Sequence, residues 1–105
     1  PMVGVDGQAA GTIADIWVDR SEYLVRYLEV ALSGGGSNVL IPMNMCTLER
    51  GNRRVVTDSV KAEHFAGAPR TASPEQITRL EEEKVMAYFG AGYLYATPER
   101  SEPVI

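Results

Sequence analysis

Asp15-Ile16-Trp17-Val18-Asp19-Arg20-Ser21-Glu22-Tyr23-Leu24-Val25-Arg26-Tyr27-Leu28-Glu29-Val30 is the stretch on which the fold turns. Its flanks are rich in β-branched and aromatic residues, which suit a pleated, half-buried surface. Its middle, Asp19-Arg20-Ser21-Glu22, has the polar composition of a turn. The stretch therefore reads as two β-strands joined by a short charged turn. The only tryptophan of the chain, Trp17, stands two residues before that turn. Asp15, Asp19 and Glu22 lie close in sequence to Arg20 and Arg26, so this is the first place to look for chemistry.

Upstream, Val3-Gly4-Val5-Asp6-Gly7 reads as a short strand entering an Asp-Gly turn. Gly11 to Val18 forms the next strand. Its alternation places Ile13, Asp15 and Trp17 on one face and Thr12, Ala14, Ile16 and Val18 on the other. The second set is the more uniformly apolar and is the expected core face, which leaves Asp15 and Trp17 looking outward or towards a partner. Downstream, Leu24 to Leu32 is a third strand, with Leu24, Arg26, Leu28, Val30 and Leu32 on one face. Gly34 to Gly36 supplies a flexible connection into Asn38-Val39-Leu40-Ile41-Pro42. Pro42 has no N–H to give to a ladder, so it marks a strand end or edge. Met43 to Leu48 is apolar and extended, and Asn52 to Thr57 is another short strand. Strands recurring about every ten residues predict a small β-barrel or rolled antiparallel sheet.

The pattern changes after Ser59. Val60 to Phe65 makes one or two helical turns, ended by Gly67 and Pro69. Ser73-Pro74-Glu75-Gln76 predicts a helix start, with Ser73 as cap, Pro74 in the first helical position and Gln76 completing a capping box. Thr78 to Phe89 then reads as helix, with Leu80, Lys84, Val85 and Tyr88 on one side. Glu81 to Glu83 suit its N-terminal half, and Gly90 and Gly92 supply its stop. The polar tail from Thr97 to Pro103 is expected to run extended over a surface. The fold class is mainly β with a C-terminal helix (α+β): one domain, with a β core over 1–59 and a helical and extended part over 60–105.

The chain of 105 residues is 45% hydrophobic and 23% charged, values that fit one folded domain. Its net charge of −4 argues against nucleic acid, which needs a basic footprint. It argues equally against simple electrostatic attachment to anionic lipid. The lone cysteine, Cys46, excludes an internal disulfide and mildly favours a reducing compartment. No apolar run is long enough to span a bilayer. The start at Pro1 fits either a trimmed initiator methionine or a fragment of something longer.

Catalytic chemistry finds little footing. One histidine, His64, and one cysteine, Cys46, both sit in structural contexts: His64 on a short helix, Cys46 as a small hydrophobe in an apolar segment. A Cys/His zinc cluster is lacking. Glu81-Glu82-Glu83 point in different directions on a helix and read as a solvated face. Gly34 to Gly36 has no phosphate-loop or dinucleotide signature around it. The acidic turn admits two readings. One is a surface ion pair, worth about 0–1 kcal/mol. The other is a proton-handling carboxylate whose affinity rises beside a ligand that becomes negative. Asp19 and Glu22 have the chemistry for the second.

Several segments together resemble a known family. These are Gly11-Thr12, Asp15-Ile16-Trp17-Val18-Asp19 with Glu22, and Arg26-Tyr27-Leu28-Glu29-Val30, then Leu40-Ile41-Pro42-Met43, Phe65-Ala66-Gly67 with Pro69, Ser73-Pro74, Leu80-Glu81-Glu82-Glu83-Lys84, and Ala91-Gly92-Tyr93-Leu94-Tyr95-Ala96-Thr97-Pro98-Glu99-Arg100. In this order they resemble the cytoplasmic domain of the H subunits of purple-bacterial photosynthetic reaction centres, over nearly the whole chain. The resemblance implies a PRC-barrel fold with C-terminal helical additions. It implies a non-enzymatic subunit that caps the cytoplasmic side of the L and M subunits, shields the quinone sites and helps deliver protons to the secondary quinone. No cofactor would be bound directly; bacteriochlorophyll, bacteriopheophytin, quinones and iron belong to the partner subunits. The family's proton-path glutamate falls on Glu22, its neighbouring acid on Asp19 and its tuning arginine on Arg26. Trp17, Arg20, Tyr23, Glu82 and Arg100 are the expected partner interface. The family's transmembrane helix and the groups through which protons enter lie upstream and have no counterpart in this chain, which looks like the C-terminal part. Its expected place is the cytoplasmic face of the photosynthetic membrane. The competing reading is a free-standing PRC-barrel adaptor that binds another protein.

Overall fold

The computed structural model describes residues 1–95, the last four by their backbone alone. Six strands and one helix account for most of it: β1 (Met2–Val3), β2 (Ala9–Asp19), β3 (Leu24–Leu32), β4 (Val39–Pro42), β5 (Cys46–Glu49), β6 (Arg54–Thr57) and α1 (Arg79–Tyr95). Short 3-10 turns cover Met43–Met45 and Ala62–Gly67. The strands form one sheet in the order β4-β3-β2-β1-β6-β5. It is mainly β with a C-terminal helix, as the strand spacing predicts. One pairing departs from the expected antiparallel scheme: β1 and β6 run parallel.

The long β2–β3 hairpin is the spine, and its register slips twice. Ile13 pairs with Val30 and Asp15 with Glu29, which leaves Ala14 as an extra residue on β2. Trp17 pairs with Tyr27 and Val18 with Val25, which leaves Arg26 as an extra residue on β3. Bulges of this kind bend a strand and re-aim a side chain. Here the second one sits at the arginine that sequence reading had singled out.

The core contradicts the expected inner face of β2. Thr12, Ala14, Ile16 and Val18 are exposed, whereas Ile13 and Trp17 pack against the core. Trp17 is therefore not an outward-facing residue, although Asp15 is exposed. One indole can bury more area than any residue of the opposite set, and the Trp17 N–H finds a partner in the Glu29 carboxylate at 2.9 Å. Size and a satisfied polar atom outweigh a count of apolar positions. On β3 the core residues are Tyr27, Leu28 and Val30.

Helix α1 begins one residue after the expected Thr78, but its cap and its end correct the sequence reading. Its capping box is not Ser73–Gln76 but Thr78–Glu81. The Glu81 N–H donates to the Thr78 hydroxyl at 3.1 Å, and the Glu81 carboxylate accepts from the Thr78 N–H at 2.8 Å. Such a cap is worth about 1 kcal/mol. The Ser73 hydroxyl instead accepts from the Glu75 N–H in a local turn. Gly90 and Gly92 do not stop the helix, which continues to Tyr95. A glycine costs about 1 kcal/mol inside a helix, a penalty the packing of the preceding turns exceeds. The buried stripe is Val85 and Phe89 with Tyr88 beside them; Leu80 and Lys84, expected on the same side as Val85 and Tyr88, are exposed.

Phe89 meets Phe65 edge-on at 5.6 Å between ring centres. The Tyr88 hydroxyl donates to the His64 carbonyl at 2.7 Å, and the buried Ser59 hydroxyl donates to the Phe89 carbonyl. The segment after β6 is thus the floor on which the second half of α1 rests. Cys46 is half-buried beside the core, where burial, reinforced by the Asp58 charge, pushes its thiol up to about 12. It behaves as the small hydrophobe expected of it. No helix among the described residues is long and apolar enough to cross a membrane.

Candidate functional site

The β2–β3 turn occupies residues 20–23, beyond the last ladder pair of Asp19 with Leu24. Its shape comes from Asp19. The carboxylate accepts from the Ser21 N–H at 2.9 Å and from the Ser21 hydroxyl at 2.7 Å, the local bonding that makes Asp a turn residue. The chain then passes through a left-handed residue, Tyr23, at φ 53°. Arg20, Glu22 and Tyr23 all project into solvent, Tyr23 being 90% exposed. Glu22 makes no ion pair among the described residues.

Behind the turn, one arginine gathers two acids. The Arg26 guanidinium lies 3.7 Å from the Asp19 carboxylate and 3.7 Å from that of Glu82 on α1. At these distances and exposures each pair contributes at most about 1 kcal/mol. Glu82 also accepts from the Tyr27 hydroxyl at 3.1 Å. Sheet and helix thus meet through a four-residue polar cluster, Asp19–Arg26–Glu82–Tyr27. A cleft of about 490 Å³ opens beside it, walled by Leu24, Arg26, Tyr27, Pro42, Arg79 and Glu82.

The electrostatics separate the acids. The Ser21 hydroxyl and N–H hold the Asp19 carboxyl below the usual carboxylate range, with Arg26 adding to the effect. Asp19 is consequently a fixed negative charge at neutral pH, placed two positions before the exposed turn carboxylate's neighbour, Ser21. Burial pushes the Tyr27 hydroxyl up to about 12, and the Glu82 carboxylate that accepts its hydrogen bond reinforces the shift. The neutral phenol is favoured by the fold, so stability from this site is complete below the ordinary tyrosine value near 10 and drains away between about pH 10 and 12. Tyr27→Phe is expected to flatten that alkaline limb in urea midpoints measured from pH 9 to 12; an unchanged slope would remove Tyr27 as its source.

Of the residues the sequence singled out, the structure brings together Asp19, Arg26 and Glu82, leaves Arg20, Glu22 and Tyr23 on the exposed turn, and sets Trp17 on the inner face nearby. Arg100 and the tail lie outside the described residues. Sequence reading gave Tyr27 and Glu29 no role beyond their place in the third strand. Tyr27 meets Glu82 across half the chain, a proximity no local pattern carries. Glu29, opposite Asp15 in the ladder, uses one oxygen for Trp17 and the other for the Asn38 amide, at 2.9 and 2.7 Å.

The stretch that carries the six strands matches a known domain family. Residues 1–64 match the PRC-barrel domain family. The chain belongs to that family. The match takes in all six strands of the PRC-barrel and stops within the 3-10 turn at Ala62–Gly67. Asp19, Glu22, Arg26 and Tyr27 are therefore part of the PRC-barrel itself, while Glu82 comes from the helix that follows it. Domain boundaries inside the chain blur at this cluster, because α1 completes it.

Proposed function

We propose that this PRC-barrel is the cytoplasmic domain of a reaction-centre H subunit, capping the L and M subunits, shielding their quinone sites and assisting proton delivery to the secondary quinone. The observation that carries the reading is the ordered resemblance, which extends past residue 64 through Leu80-Glu81-Glu82-Glu83-Lys84 of the helix. The geometry is suited to the task. Glu22 stands at the tip of the turn, free to enter a partner's surface, and Asp19, ionised at neutral pH, stands behind it. Covering the tip desolvates Glu22, and both desolvation and nearby negative charge raise a carboxylate's proton affinity. Reduction of a quinone adds further negative charge, so Glu22 takes up a proton close to the acceptor and passes it on through water. Arg26 moderates the field by pairing with Asp19 and Glu82 rather than with Glu22 itself. The domain carries no pigment; bacteriochlorophyll, bacteriopheophytin, quinones and iron reside in L and M, and attachment is at the cytoplasmic face of the membrane.

Two measurements test this. The domain should co-purify with bacteriochlorophyll-containing L and M chains from native membranes; recovery as a pigment-free species would overturn the reading. In the intact complex, Glu22→Gln should slow proton-coupled electron transfer to the secondary quinone roughly tenfold, or about 1.4 kcal/mol of barrier. Unchanged kinetics across neutral pH would remove Glu22 from the path. The second reading is a free-standing adaptor that binds another protein. It is supported by the family match itself and by the exposed Ile16, Val18, Tyr23 and Leu24 around the turn, a concentration of apolar surface that suits a partner. A pigment-free partner recovered with the domain would favour it.

A further inference from the structure

The most basic stretch of the chain is the β5–β6 turn, Glu49-Arg50-Gly51-Asn52-Arg53-Arg54. Its charges are not equivalent. Arg54 donates through Nε to the Glu49 carboxylate at 2.6 Å, and the Asn52 amide reaches the same oxygen at 3.1 Å. Glu49 is thereby consumed within the turn. Arg50 and Arg53 are exposed and make no ion pair among the described residues. The turn thus presents two uncompensated positive charges on a chain whose net charge is −4.

The backbone adds an independent observation. Arg53 sits at φ 51°, in the left-handed region, where glycine would be relaxed and an arginine is strained. The Arg53 N–H closes the turn on the Arg50 carbonyl at 3.2 Å, so the strained residue is held rather than loose. The Arg53 side chain makes no hydrogen bond or ion pair among the described residues, so no polar contact of its own holds it in that conformation. Direction matters too. β6 runs parallel to β1 and so antiparallel to β2; its leading turn opens towards the same end of the sheet as the β2–β3 turn. That second turn exposes Arg20 beside Glu22, Tyr23 and Leu24, so it offers ring and stem rather than net positive charge, and Leu48 is exposed on β5 just before the first. Arginine with tyrosine and leucine is the composition of side chains that settle at a bilayer surface, with charge at the headgroups and ring or stem below them.

We propose that the β5–β6 turn is a docking surface for an anionic phospholipid bilayer, with Arg50 and Arg53 on the headgroup phosphates and the β2–β3 turn as a second point of contact. Net charge does not forbid this. Over a Debye length of about 8 Å a membrane responds to local charge, not to the sum over the molecule. The inference rests on these two turns and does not depend on proton delivery or on an L and M partner.

The test is co-sedimentation of the 105-residue chain with phosphatidylcholine vesicles, with and without about 30% phosphatidylglycerol. Binding is expected only to the anionic vesicles and should disappear between about 0.05 and 0.5 M salt. Arg50→Glu should weaken it about fivefold or more, whereas Lys84→Glu, an identical charge change on the exposed side of α1, should leave it within twofold. Arg53→Gly separates binding from folding: it relaxes the left-handed residue and should raise Tm, yet weaken vesicle binding about fivefold. Equal binding to neutral vesicles, insensitivity to salt, or equal losses for Arg50→Glu and Lys84→Glu would overturn the proposal. So would absence of vesicle binding in a chain whose Arg50 variant loses an acidic protein partner instead.

Discussion

Phe89→Ala is expected to destabilise the chain by about 3–5 kcal/mol, the range for emptying a fully buried aromatic site. Phe89 is wholly buried and lies edge-on to both Phe65 and Tyr88, at 5.6 and 5.5 Å between ring centres. The loss combines the transfer of the ring to water, the space left behind and two aromatic contacts of about 0.5–1.5 kcal/mol each. Relaxation is restricted because the backbone around the ring is pinned. The Phe89 carbonyl takes the Ser59 hydroxyl, and the Tyr88 hydroxyl is tied to the His64 carbonyl. A domain of this size has about 5–15 kcal/mol in all, so the variant should be marginal at room temperature. Urea unfolding followed by Trp17 fluorescence should show a large fall in midpoint with little change in slope. A loss under 1.5 kcal/mol would mean that α1 is not held by this ring. The consequence for function is direct, since α1 supplies Glu82 to the polar cluster.

Gly11→Ala should cost about 3 kcal/mol or more, at or above the top of the usual range for an added core methylene. A Cβ at Gly11 would fall 2.0 Å from the Ala31 carbonyl oxygen, 2.8 Å from its carbon and 3.0 Å from the Leu32 Cα. All three are backbone atoms, so no rotamer change relieves the contact. β2 and β3 would have to part where the Ser33 N–H bonds the Ala10 carbonyl at 2.9 Å. Gly51→Ala is the matched control, because nothing lies within 4 Å of its added Cβ; it should change stability by less than about 0.5 kcal/mol. If the two variants melted alike, the close approach of β2 to β3 at Gly11 would be wrong.

These residues also show what a sequence discloses and what it hides. β3 was legible to its ends, Leu24–Leu32, because a run of aliphatic, β-branched and aromatic residues is bounded by a polar turn on one side and by glycines on the other. Pro42 ends β4 at the sheet's edge, where a residue without an N–H must go. The inner face of β2 was not legible. Counting apolar positions favours Thr12, Ala14, Ile16 and Val18, whereas the bulk of Trp17 and its bond to Glu29 draw the opposite set inward. The cap of α1 was misread because Ser73-Pro74 with Gln76 is a strong local start signal, whereas the box that forms is Thr78 with Glu81, beside the helix's first residue. At the site, the turn acids and Arg26 stood out by chemistry. Tyr27 and the closing role of Glu82 did not, since their meeting is made by the packing of α1 across the sheet.

The parallel pairing of β1 with β6 has a bearing on how the chain finds its fold. β1 is two residues long, yet it alone joins β4-β3-β2 to β6-β5. Met2 pairs with Gly11 nearby and with Val55 across half the chain. Closing the longer loop costs roughly 1.5 kcal/mol more chain entropy than the shorter one. The two hairpins are local and can zip early, whereas the seam between them must wait for a distant encounter and sets the slow step. Until Met2 and Val3 are seated between Gly11 and Val56, the domain is two half-sheets with bare inner edges, and those edges are where a folding error or a stray strand would enter.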